Sequence, residues 1–256
     1  MMEGMGRMIV THDGRFHADE VMAVAILHEY LGDMPVKRTR NVASADLEDP
    51  AVWVVDVGMV HDPSKRCFDH HQDAGLPASC KLVADHLLSE GIMDASRHAE
   101  LDAILTTVSD IDRNGYKSYN GFQFNAFIRL IDEGEAGFEQ ALSICRLLVK
   151  SLAKTALAHE ESQRIWDQGE LVHRLVRVCS QYPVHWRRFV DECILVYPSG
   201  GEWRVISSDN ERLPLIAIGT EIFMHQNRFT AGYRTKAEAV LAAVESAEAG
   251  GGRDGQ

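Results

Sequence analysis

In the stretch from Val54 to Gln72, VVDVGMVHDPSKRCFDHHQ, an apolar run ends in Asp56, and thirteen residues later the chain carries Asp69-His70-His71. Carboxylates and imidazoles hold hard and borderline divalent ions, activate water and contact phosphate. Two more groups of the same chemistry lie on either side: THDGRFHADE offers His12, His17 and Asp19, and TTVSDIDRNG offers Asp110 and Asp112. Each has a plainer reading when taken singly. Asp19 and Glu20 complement a helix N-terminus, Asp56 caps a turn before Gly58, and Asp110 and Asp112 belong to a polar turn into Gly115. Taken together, the groups supply oxygen and nitrogen donors for two divalent ions. A donor set without thiolate suits Mn²⁺, Co²⁺ or Zn²⁺, and its carboxylate share admits Mg²⁺. Two such ions ~3.5–4 Å apart would clamp a phosphate and activate a water.

These residues need elements that aim them at one place. Met8–Thr11 reads as a strand that runs into HDGRFHADE, after which VMAVAILHEYL is apolar enough for a buried helix. PVKRT and AVWVVDVG add two Val-rich strands, so the first half reads as α/β with a mainly parallel sheet flanked by helices. In such a sheet the ligand crevice lies at the carboxyl ends of the strands, where His12 and Asp56 fall. Helices follow: SCKLVADHLLSEG with a glycine stop, SRHAELDAILTTVSD with Ser96 as cap, and a long proline-free stretch from Glu135 to Gly169. The mixed text from Gln181 to Glu192 marks a domain boundary. Beyond it, CILVYPSGGEWRVISS reads as a hairpin, LPLIAIG as a strand, and TKAEAVLAAVESAEA as a closing helix capped by Thr235. The expected division is residues 1–180 for a metal-binding catalytic domain, 181–247 for a smaller α/β substrate-binding domain, and 248–256 for a disordered tail.

The order His12, His17-x-Asp19, Asp56, Asp69-His70-His71, Asp110 resembles the motifs of the DHH phosphoesterase superfamily. With FMHQNRFTAGYRTKAEAVLAA added, the chain from Thr11 to Ala243 is similar to the branch of metal-dependent hydrolases that contains the melanocyte proliferating gene exonuclease. That resemblance implies a DHH-type domain joined to a smaller C-terminal domain, with the active site between them. It implies His12 and His17 on one ion, Asp19, His70 and Asp110 on the other, and Asp56 bridging both. His71 would touch the scissile phosphate and Asp69 would orient its neighbours. Asp112 is the alternative to Asp110, and His17 stands where many members of the superfamily have aspartate. The reaction implied is 3′ to 5′ exonucleolytic cleavage of RNA or short oligonucleotides, with two divalent cations, most readily Mn²⁺.

Substrate-holding candidates are Arg204, His225, Gly232 and Arg234, with Arg40 after the second strand. Gly232 allows a backbone to approach a phosphate, and Arg234 stands near a helix start. Their plainer readings are strand core, helix start and solvated charge. From Val172 to Lys236, nine Lys/Arg face six Asp/Glu, a local +3 within a chain of net charge −12. That net charge opposes broad adhesion to nucleic acid and keeps a second substrate class open: pyrophosphate, nucleotides or dinucleotides. A non-catalytic, metal-stabilised binding protein is the reading from another class. With 45% hydrophobic residues the chain has a core, and no apolar run approaches the ~20 residues of a bilayer span, so a cytoplasmic protein is expected. The five cysteines form no C-x-x-C pair and read as reduced, buried thiols. The sequence leaves the oligomeric state open, a homodimer included.

Overall fold

The computed structural model describes residues 8–115 and 123–250. Short Val-rich runs make the centre of the first sheet: β1 (Met8–Thr11), β2 (Val36–Arg38) and β3 (Val52–Val55), joined by the two-residue strands β4 (His61–Asp62) and β5 (Cys67–Phe68). The order is β2-β1-β3-β5-β4, parallel throughout except where β4 pairs with β5. Alternation along the strands divides the side chains between two faces. Ile9, Trp53, Val55 and Phe68 enter the main core, while Val10, Val52, Val54 and Cys67 pack with Val42 and Leu47 on the other side. Leu47 lies on the short helix α2 (Ser44–Glu48), and β1 is followed by α1 (Ala18–Leu31).

Helix α1 is buried without interruption from Ala18 to His28. A helix apolar on every side must be enclosed on every side. The sheet encloses it together with α3 (Ser79–Ser89), α4 (Ala95–Asn114) and α5 (Phe124–Arg129), which share its core cluster. The glycine stop of α3 is present, with Gly91 in the left-handed region at φ 67°. The cap of α4 differs from expectation: Asp94, two residues before Ser96, accepts the Arg97 N–H, so the helix starts at Ala95. The neighbours of β1 are β2 on one side and β3 on the other. The sheet therefore has its topological switch point between β1 and β3, and a crevice is expected beyond their carboxyl ends.

Helix α6 (Glu135–Asp167) runs unbroken from the first of two compact units, which ends at Ala156, into the second, which begins at Leu157. The second unit holds a mixed sheet of β6 (Glu170–His173), β7 (Val176–Val178), β8 (Ile194–Ser199), β9 (Glu202–Ser207), β10 (Phe223–Met224) and β11 (Thr230–Tyr233). Its order is β10-β11-β9-β8-β7-β6, with only β7 and β8 parallel. Ala239, Ala242, Ala243 and Ala247 of α7 (Lys236–Gly250) pack on one face against Val176, Ile194, Val196 and Val205. On the other, Trp186 stacks on Trp166. The β8–β9 hairpin turns at Gly200 and Gly201, both at positive φ, as a two-residue turn between right-twisted strands requires.

The run LPLIAIG, read as a strand, pairs with none. Pro214 has no N–H, and the N–H groups of Ile216 and Ile218 go to Ser246 Oγ and the Glu221 carboxylate. Leu213 and Leu215 are buried all the same, so the apolar run serves the core without joining a ladder. Helix α7 extends to Gly250, so residues 248–250 of the expected tail are helical, and the rest of that tail lies outside the described residues. The Thr235 cap is present: Thr235 Oγ1 accepts the Glu238 N–H at 3.2 Å, and Glu238 Oε2 accepts the Thr235 N–H at 3.0 Å. Thr235→Ala is expected to cost about 1 kcal/mol in a denaturant titration. Among the described residues, no helix is long and apolar enough to cross a membrane.

Candidate metal centre

Asp56 leaves the carboxyl end of β3 with φ 57°, in the left-handed region. Aspartate and asparagine enter that region more readily than other residues with a Cβ, yet a buried one at a sheet end is strained enough to mark a functional site. Its N–H is held by Phe68 O at 3.0 Å, and the Asp69 N–H by Val60 O at 3.0 Å, which ties the ends of β3 and β5 together. His12 follows β1 across the switch point. Its Nδ1 donates to Asp13 O at 3.0 Å, so Nε2 faces inward, 2.9 Å from Glu20 Oε1 and 3.5 Å from Asp56 Oδ2.

Three donor groups converge: His12, His17 and Glu20; Asp56, His70 and His71; and Asp19, His70 and Asp112. Asp56 is in contact with both sides. Its Oδ2 meets His12, while its Oδ1 lies 3.3 Å from His70 Nε2 and 3.6 Å from His71 Nδ1. His70 Nε2 also stands 3.2 Å from Asp112 Oδ2 and 3.7 Å from Asp19 Oδ2, yet it is buried and makes no hydrogen bond of good geometry. Glu20 Oε2 is likewise buried without a partner. A ring nitrogen among three carboxylates, satisfied by none of them, is a donor set that a divalent cation would complete. These clusters can hold metal ions.

The acids are anchored before any ion is considered. Asp19 accepts the first two N–H groups of α3, from Ser79 at 2.8 Å and Cys80 at 2.7 Å, so it caps a helix other than its own. Ser79 Oγ donates to Asp56 Oδ1 at 3.2 Å. Asp69 accepts the Met59 N–H at 2.6 Å and the His71 N–H at 3.1 Å, and its Oδ1 lies 2.7 Å from His71 Nδ1. That contact leaves Nε2 as the free nitrogen of His71, whose side chain is 52% exposed.

The electrostatics follow from crowding five acids, Asp19, Glu20, Asp56, Asp69 and Asp112, among imidazoles. Burial raises the Asp19 carboxyl well above its ordinary value, with the charges of Asp56 and Asp112 adding to it. Burial likewise raises Glu20, against the pull of His12. Burial alone would lower both histidines. Hydrogen bonding and charge from Glu20 nevertheless raise His12 to about 9, and Asp112, Asp56 and Asp19 raise His70 to about 10. Asp69 raises His71, and hydrogen bonds from His71 and Met59 hold Asp69 low in spite of burial.

The structure thus brings His12, His17, Asp19, Asp56, Asp69, His70 and His71 together. It does not bring Asp110, which is exposed on α4; Asp112, two residues on, takes the place expected of it. Glu20 and Ser79 join the site unforeseen. Arg40 lies over the β1–α1 loop, its Nε 2.8 Å from Asp13 Oδ1 and its guanidinium against Gly14. The remaining candidates belong to the second unit. Arg204 on β9 pairs with Glu202 at 3.0 Å and is opposite Gly232 on β11, where a Cβ would meet its guanidinium at 2.7 Å. Packing within the sheet therefore accounts for that glycine. His225 accepts the Asn227 N–H in the turn after β10, and Arg234 is exposed before α7.

A family model described as MYG1_exonuc, Uncharacterised protein family (UPF0160), matches residues 8–150. The MYG1 protein of Chlamydia pneumoniae is 34% identical over 140 residues, 50% of this chain and 46% of its own. The Saccharomyces cerevisiae MYG1 protein YER156C is 31% identical over 144 residues, 53% of this chain and 39% of its own. The human MYG1 exonuclease is 44% identical over 70 residues, 25% of this chain and 17% of its own. The matched stretch spans about half the length of the Chlamydia relative and less of the other two. The family match contains all three donor groups and ends before Arg204, His225, Gly232 and Arg234.

Proposed function

We propose, on the premise that this chain belongs to the MYG1 exonuclease family, that its first unit is a two-metal phosphodiesterase acting on RNA or short oligonucleotide ends, in the 3′ to 5′ direction. The observation that carries the reading is Asp56, strained and buried between the two sets of donors. His12, His17 and Glu20 would hold one ion, Asp19, His70 and Asp112 the other, and Asp56 both. Bound there, the ions, Mn²⁺ foremost, would polarise the phosphate and make water nucleophilic at neutral pH. Asp69 keeps His71 oriented with Nε2 outward, where it meets a phosphate oxygen. Ser79 fixes the Asp56 rotamer, and Asp19 fixes the start of α3. Arg40 is proposed to hold substrate beyond the reacting group, and Arg204, His225 and Arg234 are proposed as substrate contacts of the second unit by themselves.

The test is metal stoichiometry joined to turnover. After Mn²⁺ loading and desalting, elemental analysis is expected to approach two ions per chain, and a generic phosphodiester should be hydrolysed with Mn²⁺ and not with EDTA. Cations must displace protons held by His12 and His70, so calorimetry at pH 7.5 should show proton release and an affinity that rises with pH. A reproducible one ion or fewer would remove the dinuclear reading, and two ions without turnover would indicate a metal-stabilised binding protein. The net charge of −12 favours a second reading, hydrolysis of small phosphoesters such as pyrophosphate or dinucleotides. Comparison of labelled oligonucleotides with those compounds separates the two.

A further inference from the structure

His12 and His17 stand at the two ends of the loop that joins β1 to α1, with their ring centroids 5.6 Å apart. To share an ion both rings must aim at one point. Yet the backbone of residues 13–16 makes no hydrogen bond to other backbone among the described residues. Side chains hold the loop instead. Arg38, the last residue of β2, donates from Nη2 to Gly14 O at 2.8 Å. Arg40 pairs with Asp13, and Arg15 donates to Arg129 O at 3.1 Å. The side chain of Arg38 is 5% exposed, against 76% for Arg40 and 51% for Arg15. Contacts of exposed charges are screened and fix a geometry poorly, so the buried one carries most of the restraint.

Arg38 is poorly explained by stability. Its guanidinium carbon lies 4.6 Å from the ring centroid of Phe138 and 5.8 Å from that of Phe16, both buried. Removing a charge from water is costly, and an apolar side chain would fill the same space without that cost. The ion pair with Glu135, at 3.4 Å, returns little, since Glu135 is exposed. The bond to Gly14 is what an apolar residue could not make. Arg38 is opposite Thr11 in the register of β2 on β1, one residue before His12, so its side chain reaches the loop from a rigid strand. We infer that Arg38 is a positioning residue for the ion of His12, His17 and Glu20: it fixes the Gly14 carbonyl, and through the loop the mutual aim of the two imidazoles. The inference rests on the two-metal reading and says what builds one of its two sites.

The test is Mn²⁺ calorimetry on the full chain. Arg38→Met keeps a stem against the two rings and removes the donor. Its affinity at one site should fall about tenfold, as for a residue that orients a ligand, with the other site within about twofold of wild type. Arg38→Lys, which keeps a donor but not the plane that lies on the rings, should fall between the two. Lys37→Ala, on the opposite face of β2 and paired with Asp46, should change neither site. Because Arg38 acts through the loop, Arg38→Met added to His17→Ala should cost less than about twofold, and added to Asp112→Asn the full tenfold or so. Unchanged affinities in a folded Arg38→Met protein would overturn the inference, as would equal losses at both sites or in both backgrounds. Should Arg38→Met not fold, Arg38→Lys decides: a loss confined to the same site and background supports the inference, and its absence overturns it. A wild-type protein that takes a single ion overturns the two-metal reading, and the inference then stands only if Arg38→Met weakens that ion and His17→Ala abolishes the effect. Binding of no ion overturns both.

Discussion

Asp56→Asn is expected to abolish Mn²⁺-dependent phosphodiester hydrolysis, by at least ~10³-fold or about 4 kcal/mol of transition-state stabilisation, while leaving the chain folded. The substitution removes charge and little else. Asparagine tolerates the left-handed backbone at φ 57° as readily as aspartate, and its amide oxygen can still accept from Ser79 Oγ. Asp56→Ala would be a poorer experiment, because alanine at that φ adds about 1–2 kcal/mol of backbone strain. The stability signature has a definite sign with pH. In EDTA-treated wild-type protein, His12 and His70 carry pKa values raised from 6.5 to about 9 and about 10, partly by Asp56. Their pairing stabilises the fold fully below pH 6.5 and is lost as pH rises through 9 to 10. The variant has less of this pairing to lose. The Tm of EDTA-treated Asp56→Asn should therefore rise relative to wild type between pH 7 and pH 10. Turnover within tenfold of wild type at saturating Mn²⁺ would show that the carboxylate between the donor groups does not connect them.

The features legible in the sequence are those fixed by strand ends. Asp56 follows four apolar residues, and a carboxylate there is accounted for poorly by a sheet and well by a crevice at its edge. Asp69-His70-His71 was legible as chemistry but not as geometry, because β5 is only two residues long and shows no period. Glu20 was hidden behind an ordinary explanation that is half true: its Oε1 does accept the His17 N–H at the start of α1, at 2.7 Å. The missed clue was the helix itself. VMAVAILHEYL is apolar all round, so an acid in its first turn has no solvent side and needs a buried partner. Ser79 carried no signal, since a serine opening a helix is common and its role depends on where α3 begins relative to Asp56. LPLIAIG misled because apolar content measures burial, whereas a ladder also needs free N–H groups, which Pro214 lacks and Ser246 and Glu221 take from Ile216 and Ile218.

Helical phase turns Asp112, and not Asp110, toward the donor groups. A turn into Gly115 would let both carboxylates reach the same point, but α4 continues to Asn114 and ends only where Gly115 takes φ 72°. On a helix, residues two apart point about 200° away from each other, so one of the pair must face outward. Asp110 is the exposed one, and Asp112 Oδ2 lies 3.2 Å from His70 Nε2. Asp112→Asn should accordingly lower kcat/KM by roughly 10²-fold or more and weaken one of two Mn²⁺ sites, since removing a direct ligand exceeds the ~10–100-fold typical of its supporting partners. The charge of Asp112 also raises the Asp19 carboxyl, so in the same variant Asp19 should ionise at lower pH. Asp110→Asn, a change of one exposed charge, should leave turnover within about twofold and the melting temperature unmoved. Elemental analysis and kinetics on the two single variants, purified side by side, separate the cases. A large loss in Asp110→Asn with Asp112→Asn unaffected would overturn the assignment of Asp112 to the donor group with Asp19 and His70.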